Sequence, residues 1–176
     1  MRDHYQKGEW QMTIQNQSEQ QLNNLEENYR RQNLTEGGKY NLHEIKLENL
    51  RRNSGDLRPL DVVSAICILS ENSQDGLLTF LDIWRHFYPD KDWVWPPSFN
   101  VVTKALGGAI YHCVTHGLPI LTVLVVPINT RILTDDAIQG IYDGCKKVGV
   151  DVGLIPKDFV ESQVEISKEF ARNSTQ

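Results

Sequence analysis

The sequence carries few of the features that announce a function. No apolar run approaches the roughly 18 residues needed to span a bilayer, and the first residues, Met1 to His4, lack the apolar segment of a secretory signal. Cys67, Cys113 and Cys145 are odd in number and far apart, with no C-x-x-C pair that would suggest a zinc knuckle or a redox dithiol. A cytoplasmic protein with three reduced, mostly buried thiols is therefore expected, and the sequons at Asn16, Asn33 and Asn173 carry no weight in that setting. A P-loop, a G-x-G-x-x-G fingerprint, a G-x-S-x-G elbow and an H-E-x-x-H motif are all missing. Each absence removes one well-marked class of enzyme.

The 176 residues, 40% of them hydrophobic, suffice for one globular domain with an appendage. Charge is divided unevenly between the two. Residues 1 to 60 hold nine Lys and Arg against nine Asp and Glu, while residues 61 to 176 hold nine against fourteen, so the net charge of −5 lies entirely in the second part. An acidic domain makes a poor general polyanion binder, because non-specific nucleic-acid affinity comes from neutralising phosphates with Lys and Arg.

Residues 1–56 contain only fourteen apolar residues among many Gln and Asn, and read as a polar arm, partly helical or disordered. Leu22, Leu25 and Tyr29 recur at helical spacing, and Asn41 with Glu44 resembles a capping box opening a second helix. The arm is either a pair of marginal helices or a partner-binding element, including one that forms a homodimer. From residue 57 to 176 the texture becomes that of a folded α+β domain. Pro59 suits the first turn of a helix bearing Val63 and Ile66, and Leu77-Leu78 fits a very short strand. Thr79 and Asp82 cap the next helix, which Pro89 stops, and a loop rich in Trp and Pro follows. Ser98 is placed to cap the longest helix, ending near His116 with Gly117 beyond it. Leu118 to Val126, apolar and β-branched, reads as a strand. Thr134 then opens a helix to about Gly149, followed by a short strand over Val150–Ile155 and a last helix from Lys157 to about Arg172.

Helix, short strand, helix, longer helix and strand is the element order of a winged helix. The stretches Leu78-Thr79-Phe80-Leu81-Asp82-Ile83, Leu106 to Cys113, and His116 to Val126 also resemble the winged-helix-like region that precedes the nuclease in bacterial HNH-type restriction-associated proteins. The resemblance covers residues 77 to 127. It implies a recognition module of bacterial or phage origin in defence, anti-defence or regulation. Nothing downstream resembles an HNH motif, so the implied role is that of the module without its nuclease.

Several residues are candidates for recognition or chemistry. On the expected recognition helix, Asn100, Thr103, Lys104 and Tyr111, with Thr115, would face DNA, with Arg85, Lys91, Arg51, Arg52 and Arg58 supplying phosphate contacts. A solvated helix face carrying one lysine explains the same residues. Trp93 and Trp95, in a proline-stiffened loop, are either anchors for a partner protein or plugs of the core. His112 and His116 sit four apart, a spacing that suits one metal, but no third ligand is evident, and a pair of histidines favoured in protonated form by the helix C-terminus accounts for them. Asp135, Asp136 and Asp143 read as helix acids rather than ligands of a hard cation.

The expectation is a winged-helix-like α+β domain with a C-terminal helix-strand-helix extension and no cofactor, metal or membrane partner. Its leading function is non-catalytic recognition of DNA or a DNA-handling protein. A protein-protein adaptor or inhibitor is the second reading, and a small enzyme with a non-obvious active site is the third.

Overall fold

A computed structural model describes residues 14–52 and 55–174. The chain divides into two compact units, residues 1–49 and 50–176.

In the first unit, α1 (Glu19–Gln32) opens on a capping box in which the Ser18 hydroxyl accepts from the Gln21 backbone N–H and the Gln21 side chain accepts from Ser18 N–H. Helix α2 (Leu42–Arg52) opens on the expected Asn41–Glu44 reciprocal pair, with both bonds at 2.8 Å. The Leu22, Leu25 and Tyr29 stripe is spent within the unit. Leu22, Tyr29 and Ile45 form a small buried cluster, so this polar segment has a core of its own. The Tyr29 hydroxyl donates to the Tyr40 carbonyl at 2.7 Å and accepts from Gly38 N–H at 2.7 Å, closing the α1–α2 connection.

The second unit is mostly helical. Helix α3 (Pro59–Glu71), with Pro59 at its first position, packs on α5 (Pro97–Thr115) and α7 (Pro156–Ser174). Helix α4 (Phe80–Phe87) begins at the Thr79 box: Asp82 accepts from the Thr79 N–H, and the Thr79 hydroxyl accepts from the Asp82 N–H. Helix α6 (Asp135–Lys147) begins at Thr134, whose hydroxyl accepts from Ala137 N–H. Around Ile66, Ile83, Val102, Ala109, Leu121 and Leu124 lies one continuous core, every one of these side chains fully buried.

Helix α5 ends in a Schellman motif. Leu118 N–H reaches the Cys113 carbonyl and Gly117 N–H the Val114 carbonyl, while Gly117 takes the left-handed φ of 64° that such a stop requires.

Three sequence expectations are corrected. Leu118–Val126 is not a full strand. It contains a 3₁₀ turn, Leu121–Leu124, followed by β2 (Val125–Val126), which pairs in parallel with β1 (Leu78–Thr79) in the register Leu78 with Val125 and Thr79 with Val126. Burial on all sides makes a short apolar run look alike as strand or turn, because neither leaves a periodic polar face. Val150–Ile155 is a connection rather than a strand, with Gly153 at a positive φ of 65°. Ser98 does not cap α5. The helix starts on Pro97, two residues before the start that a Ser98 cap would set, and the Ser98 hydroxyl instead accepts from the Val94 N–H at 2.9 Å.

Candidate functional site

That Ser98 bond is the first element of the site. Ser98 N–H also donates to the Val94 carbonyl at 2.8 Å, so Val94 and Ser98 are tied reciprocally across the Trp95-Pro96-Pro97 turn. The turn presents Trp95 outward, 66% exposed, with its ring against Phe99 at 4.6 Å between centroids. Phe99 in turn meets Phe80 at 5.0 Å. Apolar rings held this far into solvent are normally withdrawn into a core, so an aromatic row ending in an exposed Trp is informative.

The row forms one wall of a cavity of about 940 Å³. Its second wall is the flank of α5, from Thr103 through Leu106 and Gly107 to Ile110. Facing it are Ala137, Gly140 and Ile141 of α6, while Pro127, Ile128, Asn129 and Leu133 of the 127–134 loop close a fourth side. Helix α6 leans mainly on α7, and the space left between it and α5 is this cavity. The lining runs from buried residues, Thr79, Leu106, Thr122 and Val125, to exposed ones that include Trp95, Ile128, Asn129, Asp136 and Gly140.

Polar groups on the lining are few and mostly committed. Thr79 Oγ1 donates to Asp82, Thr134 Oγ1 accepts the α6 cap bond, and the Thr103 hydroxyl turns back to the Phe99 carbonyl. Thr122 differs. It is 3% exposed, and its hydroxyl oxygen, enclosed by the core with essentially no accessible surface, has no hydrogen-bond partner within the protein. Among the described lining residues Asp136 is the one ordinarily titratable acid or base, and none is Lys, Arg or His.

The sequence-predicted residues are distributed as follows. Trp93 and Trp95 differ in burial. Trp93 is half-buried, edge-on to Trp84 at 5.9 Å, and the Trp84 indole N–H donates to the Lys91 carbonyl at 3.0 Å. It packs on the core and also lines the cavity, whereas Trp95 is exposed at the rim with its ring against Phe99. Asn100, Lys104 and Arg85 are exposed on the surface of α5 and α4, and Tyr111 is half-buried. Thr103 lines the cavity, and Thr115 bonds back to the Tyr111 carbonyl at 2.9 Å. Arg58 is taken up by Asp61 in a two-bond exposed pair, and Lys91 lies over the Tyr88 ring. Arg52 lies at the end of α2; the Arg51 side chain falls outside the described residues.

The rings of His112 and His116 stack at 4.0 Å, and no cluster of three His, Cys, Asp or Glu fit for a metal occurs among the described residues. The expectation that the helix terminus favours their charged form is corrected for His112. Partial burial, with the neighbouring His116 charge second, holds its pKa below the usual histidine value. Asp135 and Asp136 occupy the first turn of α6 as expected, and Asp143 accepts from the Gln139 amide. All three cysteines are buried and free. Burial pushes the thiols of Cys113 up to about 11 and Cys145 up to about 12, which makes them unreactive.

Sequence reasoning missed Phe80, Phe99, Thr122, Gly140 and the 127–134 loop. A signal was present in α5, where Phe99 and Ile110 extend the apolar surface beyond the stripe of Val102, Ala109 and Cys113 that the core uses. Compared with known protein families, curated proteins and solved structures, the chain matches none.

Proposed function

We propose that the second unit is a non-catalytic recognition module whose binding element is the apolar cavity between α5 and α6, with Trp95 at its mouth. The observation that carries this reading is the composition of the lining. Acid-base or nucleophilic chemistry needs titratable groups that converge, and this lining offers a single exposed carboxylate, Asp136, beside threonine hydroxyls and the Asn129 amide. What it offers instead is a concave apolar surface rimmed by an exposed aromatic, which is the usual form of a binding site.

The winged-helix-like reading of residues 59–126 is supported by the order α3, β1, α4, α5, β2, and with it comes the alternative that the exposed face of α5 contacts DNA through Asn100, Lys104 and Tyr111, helped by Arg85. One lysine on that face and a net charge of −5 give little phosphate neutralisation, so the cavity is the better-supported element. The test has two arms. In acrylamide quenching, Trp95→Phe should remove a large part of the quenchable emission; a Trp95 shielded in the wild type overturns the reading. Anisotropy against random duplex DNA over a salt series should show no binding, and steeply salt-dependent binding would move recognition to the α5 face.

A further inference from the structure

His112 and His116, at the last turn and cap of α5, take no part in the cavity lining. Side chains four apart on a helix stand one above the other, so the two imidazoles share one patch of surface. Their rings stack at 4.0 Å between centroids and 23° between planes. A helix C-terminus attracts positive charge, but two imidazolium faces held this close repel each other, so the terminus does not by itself explain a stacked pair. At least one ring is neutral and keeps a lone pair.

The outer ring is held in a defined tautomer. His116 Nδ1 lies 2.9 Å from the His112 carbonyl, and a carbonyl only accepts, so Nδ1 carries the hydrogen. In the neutral ring the lone pair is then left on Nε2 of this exposed residue. A ring N–H fixed on a backbone carbonyl while the other nitrogen stays open is how proteins orient a metal-binding imidazole. The ring nitrogens of His112 make no hydrogen bond among the described residues.

The surroundings favour a cation. No Lys or Arg occurs in the sequence between Lys104 and Arg131, and the carbonyl end of α5 contributes partial negative charge. Cys113, between the two histidines, is fully buried and supplies no ligand to this surface.

We infer that His112 and His116 form a two-imidazole site for one borderline divalent transition-metal ion of the Zn²⁺, Ni²⁺ and Cu²⁺ class, its remaining positions filled by solvent. Imidazole suits these ions, whereas Mg²⁺ and Ca²⁺ require oxygen ligands that the pair does not provide. An ion bridging the two rings ties the last turn of α5 to its cap. The site is separate from the cavity, and the recognition reading stands or falls without it.

The test titrates the full nitrogen-15-labelled chain with ZnCl₂ at neutral pH and follows the imidazole nitrogens by NMR, with MgCl₂ as the comparison. The ring signals of His112 and the Nε2 signal of His116 should move together and saturate at one zinc per chain. Because the second imidazole binds as an intramolecular step, their midpoint should lie about tenfold or more below that of the exposed single imidazoles His43 and His86. His116→Gln, at an exposed position, should return His112 to the weak response of a single imidazole, and His112→Gln should do the same to His116. MgCl₂ should move neither. Separate midpoints for the two rings, a midpoint shared with His43 and His86, or a single-histidine variant that binds zinc like the wild type would each overturn the inference.

Discussion

Arg131 and Asp75 lie 56 positions apart in sequence and meet through two hydrogen bonds, of 2.9 and 2.5 Å, while Arg131 Nη2 also donates to the Leu77 carbonyl at 2.9 Å. Arg131 adopts a left-handed φ of 51°, uncommon for a residue with a side chain. The pair ties the 127–134 loop, one wall of the cavity, to the turn that follows α3.

The Arg131 guanidinium, together with the Leu77 N–H and the Ser73 hydroxyl, holds the Asp75 carboxyl well below the usual carboxylate range. A depressed folded pKa contributes stability that is present above the unfolded value near 4 and is lost as pH falls through the folded one. Both side chains are more than 40% exposed, so screening limits the contribution to about 0.2–1 kcal/mol. Asp75→Asn should therefore lower stability at pH 7, have progressively less effect below pH ~4, and show less effect in high salt. Urea unfolding at pH 7 and pH 3 with and without salt checks this; a pH-independent difference would assign the role of Asp75 to its turn rather than to its charge.

His112 gives the opposite acid dependence from the one a helix terminus alone would impose. Its folded pKa lies below the unfolded value near 6.5, because burial, and then the His116 charge, disfavour the imidazolium. The folded state thus resists a proton that the unfolded chain accepts, and stability falls as pH drops from above 6.5 through the folded value. His112→Gln should flatten that part of the stability curve. The check is the melting temperature between pH 7.5 and 5.5 in both proteins, with parallel curves counting against the assignment.

How far the sequence could be read depended on the range of the interaction. The caps at Asn41, Thr79 and Thr134 and the helix stop at Gly117 were legible because each is decided within about four residues of chain. Thr122 was not. Inside the apolar run Leu118–Val126 it reads as a tolerated β-branched residue, and only the 3₁₀ turn and the packing of α3, α5 and α7 on it leave its hydroxyl buried without a partner. The cavity is assembled from segments between Thr79 and Ile141 that no local pattern connects. Trp95 was half legible: its loop marked it as unusual, but the Val94–Ser98 tie that turns it outward depends on Ser98 lying inside α5 instead of capping it.

In the first unit the sharpest dependence is on Gly38. A Cβ there would lie 2.6 Å from the Tyr29 hydroxyl, closer than atoms of real side chains approach. The ring cannot simply swing aside, since Tyr29 is 8% exposed and its hydroxyl bridges Gly38 N–H and the Tyr40 carbonyl. Gly38→Ala should break that bridge at a cost of about 0.5–1.5 kcal/mol, the net worth of a hydrogen bond whose groups are part-buried. Hydrogen exchange on the full chain should show amides of α1 and α2 losing protection while those of α3 and α5 keep theirs. Unchanged protection in α1 would mean that the connection relaxes freely and that Tyr29 does not fasten it.

Thr122 should behave in the opposite sense from an ordinary buried polar residue. Removing a buried group normally destabilises, because it breaks a bond or leaves a void. Here the hydroxyl has no partner within the protein, and Val replaces Thr with nearly the same shape, so Thr122→Val exchanges an unmet polar atom for a methyl in an apolar setting. The ligand-free protein should gain about 1–3 kcal/mol, a rise of roughly 2–4 °C in Tm per kcal/mol for a chain of this size. Ser167 in α7, fully buried and also without a partner, provides the comparison: Ser167→Ala removes an unmet hydroxyl that does not line the cavity. If both variants raise Tm by calorimetry, the cost of an unmet buried hydroxyl is general to this core. A Thr122→Val protein that melts below the wild type would show that the hydroxyl is already satisfied in solution, and the core around it would have to be redrawn to include that contact.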